Sequence, residues 1–292
     1  LDELYNLIIS KRVPNSNSDC IIPFSGGRDS SFLTHIIKKE LGLNPITYTY
    51  DWGMVTDLAR RNIARICGEL GIENIIVSAA IKKKRENIKN NISAWLKRPR
   101  LGIVPLFMIG DKLFHYYTSQ VIKQTGTSLA VWGTNFLENT DFKAGFCGAK
   151  LDFKKDRISQ LSLKNKLTMA AFFSKNYLLN LSYFNSSLYD TFFAIASRYI
   201  IPKSKYIFFY DYFQWDEQLI ESTLIEKYDW EVSPDKKSTW RIGDGTASFY
   251  NYIYFTIAGF TEHDTFRSNQ IREGLITREE ALKLVQDENL PC

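Results

Sequence analysis

Six consecutive residues, Ser25-Gly26-Gly27-Arg28-Asp29-Ser30, carry the densest chemistry in the sequence. An apolar run, CIIPF, leads into them, and Phe32, Leu33, Ile36, Ile37 and Leu41 follow at helical spacing. Paired glycines let a backbone turn sharply and approach a ligand closely. A helix starting there offers N–H groups and a positive dipole end to an anion. Ser25 and Ser30 add hydroxyl donors and Arg28 adds charge. A carboxylate beside phosphates has two uses, so Asp29 is expected either to meet a magnesium ion or to fix the loop. The plain alternative is a Gly-Gly turn with a Ser or Asp helix cap. Placement of the whole hexapeptide between strand and helix favours phosphate binding.

Other candidates are scattered along the chain. Tyr50, Asp51 and Trp52 close a second apolar run, where Asp51 could also simply close a turn. Gly133, Thr134 and Asn135 close a fourth, and the ends of parallel strands are where such sheets bind ligands. Arg241 and Asp244 in TWRIGDG suit phosphate, magnesium or substrate, against a surface salt bridge. Lys97, Arg98 and Arg100 flank Pro99 and could hold a substrate's diphosphate or uronate. Cys147 in GFCG has no histidine near it in sequence, so a nucleophile there is disfavoured, and His263 reads as structural.

The elements that must position these residues alternate. Residues 20–25, 46–51, 74–79 and 129–135 read as strands, and helical patterns fall between them. One helix has Leu58, Ile63, Ile66, Cys67 and Leu70 on its inner face and Gly71 as its stop. A basic stretch, 81–100, holds eight Lys or Arg against one Glu and reads as a helix. A Gly/Pro-bearing irregular segment and a helix near 111–124 follow. Strand–helix alternation implies an α/β fold, a doubly wound parallel sheet with right-handed crossovers. Helical patterns recur near 160–172, 186–198, 215–228 and 247–258, and Thr277 with Glu280 forms a capping-box signature. Sixteen of the forty-four residues in 172–215 are aromatic, which reads as core more than base stacking. The change of pattern suggests domains at 1–150 and 151–292, the second mostly helical.

Composition narrows the function classes. With 292 residues, 45% apolar and 24% charged, the chain can build a core without disulfide or metal staples. No run is long enough for a membrane span, and no signal-peptide layout opens the sequence. Four cysteines, Cys20, Cys67, Cys147 and Cys292, lack paired spacing, so a zinc site is not expected and a cytoplasmic setting is. The net charge of +5 is mild but concentrated in 81–100. That stripe could meet nucleic acid, an anionic membrane or a phosphorylated small molecule, or be a solvated helix face.

The Lys-Ser/Thr of kinase and GTPase P-loops is missing. The hexapeptide instead resembles the SGGxDS pyrophosphate loop of the N-type ATP pyrophosphatases. Further along, YDWGMVTDLARRN (50–62), AWLKRPRLGIVPLFMIGDK (94–112), WGTN (132–135) and the block 238–274 resemble the N-acetyl sugar amidotransferases of lipopolysaccharide and flagellin-glycan biosynthesis. The similarity runs from about residue 19 to the end, though the CxxC zinc ribbon usual in that family is absent. The resemblance implies ATP and Mg2+ as cofactors, with the β- and γ-phosphates on residues 25–30. It places adenosine near Tyr50, Asp51 and Trp52, and implies catalytic roles for Asp29, Arg241 and Asp244. It also implies adenylation of an acetamido oxygen and substitution by ammonia to give an acetamidino group. A histidine-pathway-type glutaminase with its barrel partner would supply the ammonia, because no cysteine here is placed to release it from glutamine.

Such chemistry needs no strong nucleophilic side chain. Adenylation turns a poor leaving oxygen into AMP, and the site has only to neutralise phosphate charge. Two other readings compete. A tRNA-modifying pyrophosphatase draws on the basic stripe, although no RNA-binding appendage is visible and no nucleic-acid partner is expected. A non-enzymatic nucleotide sensor would leave Asp29 without a task.

Overall fold

The computed structural model describes residues 1–14, 16–150, 162–200, 206–234 and 238–289. Five parallel strands form one sheet: β1 (Cys20–Pro23), β2 (Pro45–Asp51), β3 (Asn74–Ser78), β4 (Ala130–Trp132) and β5 (Tyr206–Phe208), in the order β3-β2-β1-β4-β5. Ile21 pairs with Ile46 on one side and Ala130 on the other. Cys20, Ile21 and Ile22, and Ala130 with Val131, are completely buried, as central strands covered on both faces require.

Four of the five strands follow the apolar runs of the sequence. The fifth was not anticipated: only three residues long, it lies inside the aromatic-rich region and shows no alternation of its own. Helix α1 (Asp2–Lys11) precedes the sheet, α2 (Arg28–His35) links β1 to β2, and α3 (Asp57–Leu70) links β2 to β3. Thr56 caps α3, its hydroxyl accepting from the Ala59 N–H at 3.2 Å, and Gly71 ends it at φ 60°. The buried stripe of α3 is Ala59, Ile63, Ile66, Cys67 and Leu70; Ala59 takes the place expected of Leu58, which is only half-buried.

After β3 the chain runs through α4 (Ile81–Lys97), the 3-10 turns of 101–113 and α5 (Phe114–Thr125) before entering β4. The segment expected to be irregular is thus wound into 3-10 turns around Pro105. The step from β3 back past β1 to β4 reverses the winding, so right-handed crossovers put α5 on the face opposite α2 and α3. Helix α5 packs on β1 and β2, while α2 and α3 pack with α9 (Glu217–Tyr228). The reversal point lies between β1 and β4, the place where open α/β sheets bind ligands.

Two compact units make up the chain, and neither is continuous. The first comprises Leu1–Ile81, Leu113–Asn135 and Ile195–Ala247; the second comprises Lys82–Lys112, Phe136–Ala194 and Ser248–Cys292. The division is therefore interleaved, in place of the single boundary near 150 suggested by the change of pattern. The sheet belongs to the first unit. The second is helical, containing α6 (Phe142–Gly145), α7 (Leu163–Leu179), most of α8 (Ser187–Ile200), nearly all of α10 (Ala247–Ala258), α11 (Glu262–Arg272) and α12 (Arg278–Glu288). Thr277 and Glu280 form the capping box expected of them, and Thr261 with Asp264 forms another. Among the described residues, no helix is long and apolar enough to cross a membrane.

Candidate nucleotide site at the end of the first strand

The hexapeptide leaves β1 on a fixed stem. The Phe24 N–H donates to the Tyr48 carbonyl at 2.7 Å, and the Thr49 hydroxyl donates to the Phe24 carbonyl at 2.8 Å. The chain then turns through Gly26 at φ 73°. A Cβ there would lie 2.5 Å from the Ala59 carbonyl oxygen and 2.9 Å from Ile63 Cγ1, so neither the conformation nor the packing admits another residue. Gly27 is the N-cap of α2, and no side chain caps that helix. The plain capped-turn alternative is therefore not what the chain builds.

Side chains close the loop on itself. Ser25 Oγ accepts from the Gly27 N–H at 3.3 Å and lies 3.2 Å from Ser30 Oγ, which in turn donates to the Gly27 carbonyl at 3.2 Å. Ser25 is exposed, whereas Arg28, Asp29 and Ser30 are buried. The exposed Ser25 hydroxyl, the Gly27 backbone and the uncapped start of α2 together form a small cradle of polar groups, suited to the oxygens of a phosphate chain.

Asp29 is held from two directions. Its Oδ1 accepts from the Trp215 indole N–H and its Oδ2 from the Asn135 amide, each at 2.8 Å. Arg28 Nε stands 3.7 Å away. Of the two uses foreseen for this carboxylate, the geometry shows loop fixing: each oxygen accepts from an N–H donor, with a further lone pair left on each. Among the described residues, no cluster of three His, Cys, Asp or Glu could hold a metal ion. Asp29 is itself buried in the first turn of α2.

Arg28 does not offer its charge to the loop's mouth. Its Nη1 donates to Glu217 Oε1 at 2.6 Å and to the Thr239 hydroxyl at 2.8 Å, and the guanidinium lies 5.0 Å from the Trp215 ring centre. A buried arginine needs such partners because desolvation of its charge is costly, and they tie the start of α2 to α9.

The end of β4 reaches the same place. A Cβ on Gly133 would lie 3.0 Å from Ser30 Cα and 3.1 Å from the Asp29 carbonyl oxygen, so only a glycine lets this backbone lie against the first turn of α2. Thr134 is exposed, and buried Asn135 holds Asp29. The TWRIGDG turn approaches from a third side: a Cβ on Gly243 would lie 3.2 Å from the Ser25 carbonyl oxygen. Hydrogen bonds from the Thr56 hydroxyl to the Ile242 carbonyl and from the Gly245 N–H to the Met54 carbonyl, both at 2.8 Å, fasten that turn. Arg241 adopts φ 59°, a conformation rare for a side-chain-bearing residue and characteristic of functional loops. Asp244 Oδ1 accepts from the Thr246 N–H at 2.8 Å and its hydroxyl at 2.6 Å.

At the end of β2 the picture is more inward. Asp51 Oδ1 accepts from the Gly53 N–H at 2.9 Å and its Oδ2 from Arg60 at 2.8 Å, which is the turn-closing role. Tyr50 stacks on Tyr117 with ring centres 4.9 Å apart, and Trp52 is buried. Lys97, Arg98 and Arg100 belong to the second unit. Lys97 and Arg100 are exposed, and Lys97 donates to the Ser182 hydroxyl at 2.7 Å.

Several site residues escaped sequence reasoning. Trp215, Glu217 and Thr239 lie about two hundred residues from the loop, as does Trp230, whose indole donates to the Gly26 carbonyl at 3.3 Å. No local spacing could flag them; Trp215 lies in the aromatic-rich stretch and Thr239 in the 238–274 block, both singled out on other grounds. Cys20, Cys67 and Cys147 are buried, and Cys292 lies outside the described residues. Burial pushes the Cys147 thiol up to about 11, which disfavours the thiolate a glutaminase would need.

No protein-family model matches the sequence, and no curated protein shows significant similarity to it. Several solved structures are similar at a distance. An NMN synthetase from Francisella tularensis is 11% identical with a TM-score of 0.40, covering 98% of this chain and 89% of that one. An NH3-dependent NAD synthetase from Campylobacter jejuni is 14% identical with a TM-score of 0.34, covering 78% and 91%. A U34-tRNA thiolase from Methanococcus maripaludis is 13% identical with a TM-score of 0.37, covering 94% and 80%. What the site can do is read from its own geometry.

Proposed function

We propose that the chain is an ATP-dependent, AMP- and pyrophosphate-forming amidotransferase acting on an N-acetyl sugar. The observation that carries the nucleotide half of this reading is the cradle at the β1–β4 reversal point. Backbone from three segments, at Gly26–Gly27, Gly133 and Gly243, converges there around an exposed serine hydroxyl and an uncapped helix start. Such a site can neutralise a departing pyrophosphate with fixed dipoles and hydrogen bonds. The sugar half rests on the sequence resemblance of 50–62, 94–112, 132–135 and 238–274.

The acetamido oxygen attacks the α-phosphorus, the bond to the β-phosphate oxygen breaks, and pyrophosphate leaves. Ammonia then attacks the imidate carbon, AMP departs with the former acetamido oxygen, and a proton is lost to give the amidine. Ser25, Ser30 and the 26–28 backbone hold the β- and γ-phosphates, and Asp29 keeps that backbone in place through Asn135 and Trp215. Arg241, held at positive φ in the turn against Ser25, is suited to charge developing on the pyrophosphate. Magnesium arriving with the nucleotide would add charge neutralisation, and Asp29, whose oxygens each accept one N–H bond, is the carboxylate at the loop that would face it. Ammonia comes from a separate glutaminase, a reading that buried Cys147 supports.

The test is pyrophosphate release from ATP by the purified chain, supplied with ammonium salts at raised pH and nucleotide-linked acetamido sugars. Release that requires such a sugar, and an amidine product by mass, is the expected result. Release triggered by tRNA and by no sugar would move the chain to nucleic-acid modification. Glutamine hydrolysis by the isolated chain would overturn the separate ammonia source.

A further inference from the structure

The second unit carries an exposed apolar surface that lies outside the nucleotide cradle. Helix α7 ends in a short tip, 178–184, where Leu178 is 72% exposed, Leu179 50%, Leu181 68% and Phe184 56%. The tip is built, not frayed. Buried Tyr183 packs beneath it with its ring 5.4 Å from that of Tyr177, and Tyr177 also meets Phe184 at 5.6 Å. The Asn180 amide donates to the Ala94 carbonyl at 2.6 Å, and Lys97 donates to the Ser182 hydroxyl at 2.7 Å. Those two bonds set the basic segment Lys97–Arg100 directly beside the leucines. Its own turn is pinned by the Trp95 indole donating to the Arg100 carbonyl at 2.9 Å.

Charge decides what such a surface fits. Residues 87–110 and 162–189 contain seven Lys or Arg and not one Asp or Glu. A second copy of the chain would bring like charge against like and pay repulsion on burial. Nucleic acid would satisfy the cations and could stack on Phe184, but it gives no reward for exposed Leu178, Leu179 and Leu181, since stacking needs aromatic faces. A bilayer with anionic headgroups satisfies both features, taking apolar side chains into the acyl boundary while cations meet the headgroups.

We propose that the 178–184 tip, with Lys97, Arg98 and Arg100 beside it, docks the protein on an anionic lipid surface. The bound form is peripheral, with the leucines inserted shallowly and exposed Lys175, one turn before Leu179 on α7, beside the headgroup layer.

Cosedimentation of the full chain with vesicles tests this. Vesicles of phosphatidylcholine with about one quarter phosphatidylglycerol should retain the protein far better than phosphatidylcholine alone, because each basic residue near such a surface contributes. Leu179→Ser with Leu181→Ser, and separately Arg98→Gln with Arg100→Gln, should each weaken partitioning about tenfold or more. Leu179, Leu181 and Arg100 are exposed and Arg98 is half-buried, and unchanged circular dichroism and melting temperature verify the fold. Equal binding of wild type and both variants overturns the proposal, as does no binding to either vesicle. Concentration-dependent dimerisation abolished by the leucine variant would assign the tip to a second copy. RNA binding lost with the arginines but kept with the serines would assign the cations to nucleic acid.

Discussion

Each unit contains a buried carboxylate with a full set of partners, and the two are used differently. In the first unit Asp29 accepts from two neutral donors, Trp215 and Asn135, and Arg28 Nε stands 3.7 Å off. In the second, Glu262 is fully buried and pairs directly with Lys143, while the Tyr250 hydroxyl donates to its other oxygen at 2.7 Å. The Glu262 N–H donates to Asn251 Oδ1 at 3.0 Å, and Lys143 lies 4.8 Å from the Tyr250 ring centre. Glu262 fastens helices to one another through a compensated ion pair. Asp29 fastens backbone beside an exposed serine, and its neutral partners leave the loop's electrostatics to the helix start. A carboxylate that holds a phosphate cradle gains from this arrangement, because a strong ion pair there would compete with the ligand.

The largest effect should come from the loop's backbone. Gly26→Val places a side chain into the Ala59 carbonyl at positive φ, and pyrophosphate release should fall by about two orders of magnitude or more, given that such strain and overpacking cost several kcal/mol. Wild-type release from that variant would break the cradle assignment. Next comes Glu262→Gln, which leaves half-buried Lys143 without its counter-charge. Breaking a buried pair from one side costs about 3–5 kcal/mol, to be read as a lower denaturation midpoint in urea. An unshifted midpoint would remove the contrast between the two carboxylates.

Asp29→Asn sharpens the comparison from the other side. An amide nitrogen would face either the Trp215 or the Asn135 donor, so one N–H is left without an acceptor, at about 1–3 kcal/mol. Both stability and pyrophosphate release should fall, and Asp29→Glu should not restore them because the longer side chain misplaces both contacts. If Asp29→Asn abolishes turnover with full stability and with magnesium affinity lost, the carboxylate is a metal ligand.

The smallest effect concerns pH. His35 is buried in α2, with its Nδ1 2.6 Å from the Tyr228 hydroxyl, and burial holds its pKa below the ordinary value of 6.5. The unfolded chain therefore takes up a proton that the folded chain resists. The contribution to stability is complete above the unfolded value near 6.5 and declines as pH falls below it, levelling off below the folded value. Melting temperature should drop on acidification through that window, and His35→Gln should flatten the drop. An unchanged slope in the variant would assign the acid sensitivity elsewhere.

How much of this was legible beforehand depended on range. Strands β1 to β4, the phosphate-type loop and helices α3, α8, α9 and α10 follow from local periodicity and from glycine placement. Asp29's alternatives could be stated but not decided, because the deciding groups, Asn135 and Trp215, lie 106 and 186 residues away. Arg28 was read as an outward cation because the motif shows only its neighbours; Glu217 and Thr239 turn it inward. Strand β5 was hidden by its three-residue length, and the interleaving of units by the assumption that composition changes mark boundaries. In each case the missing information was tertiary.

The interleaved path also sets an order of assembly during synthesis. The loop and α2 leave the ribosome in the first segment of the first unit, whereas the edge strand β5, the Trp215 indole and the TWRIGDG turn all come from its third segment. Until residue 244 or so has emerged, the loop lacks its carboxylate partner and its third wall. A nascent chain therefore carries a nucleotide motif that stays open and incompetent until the third segment of the first unit has followed it.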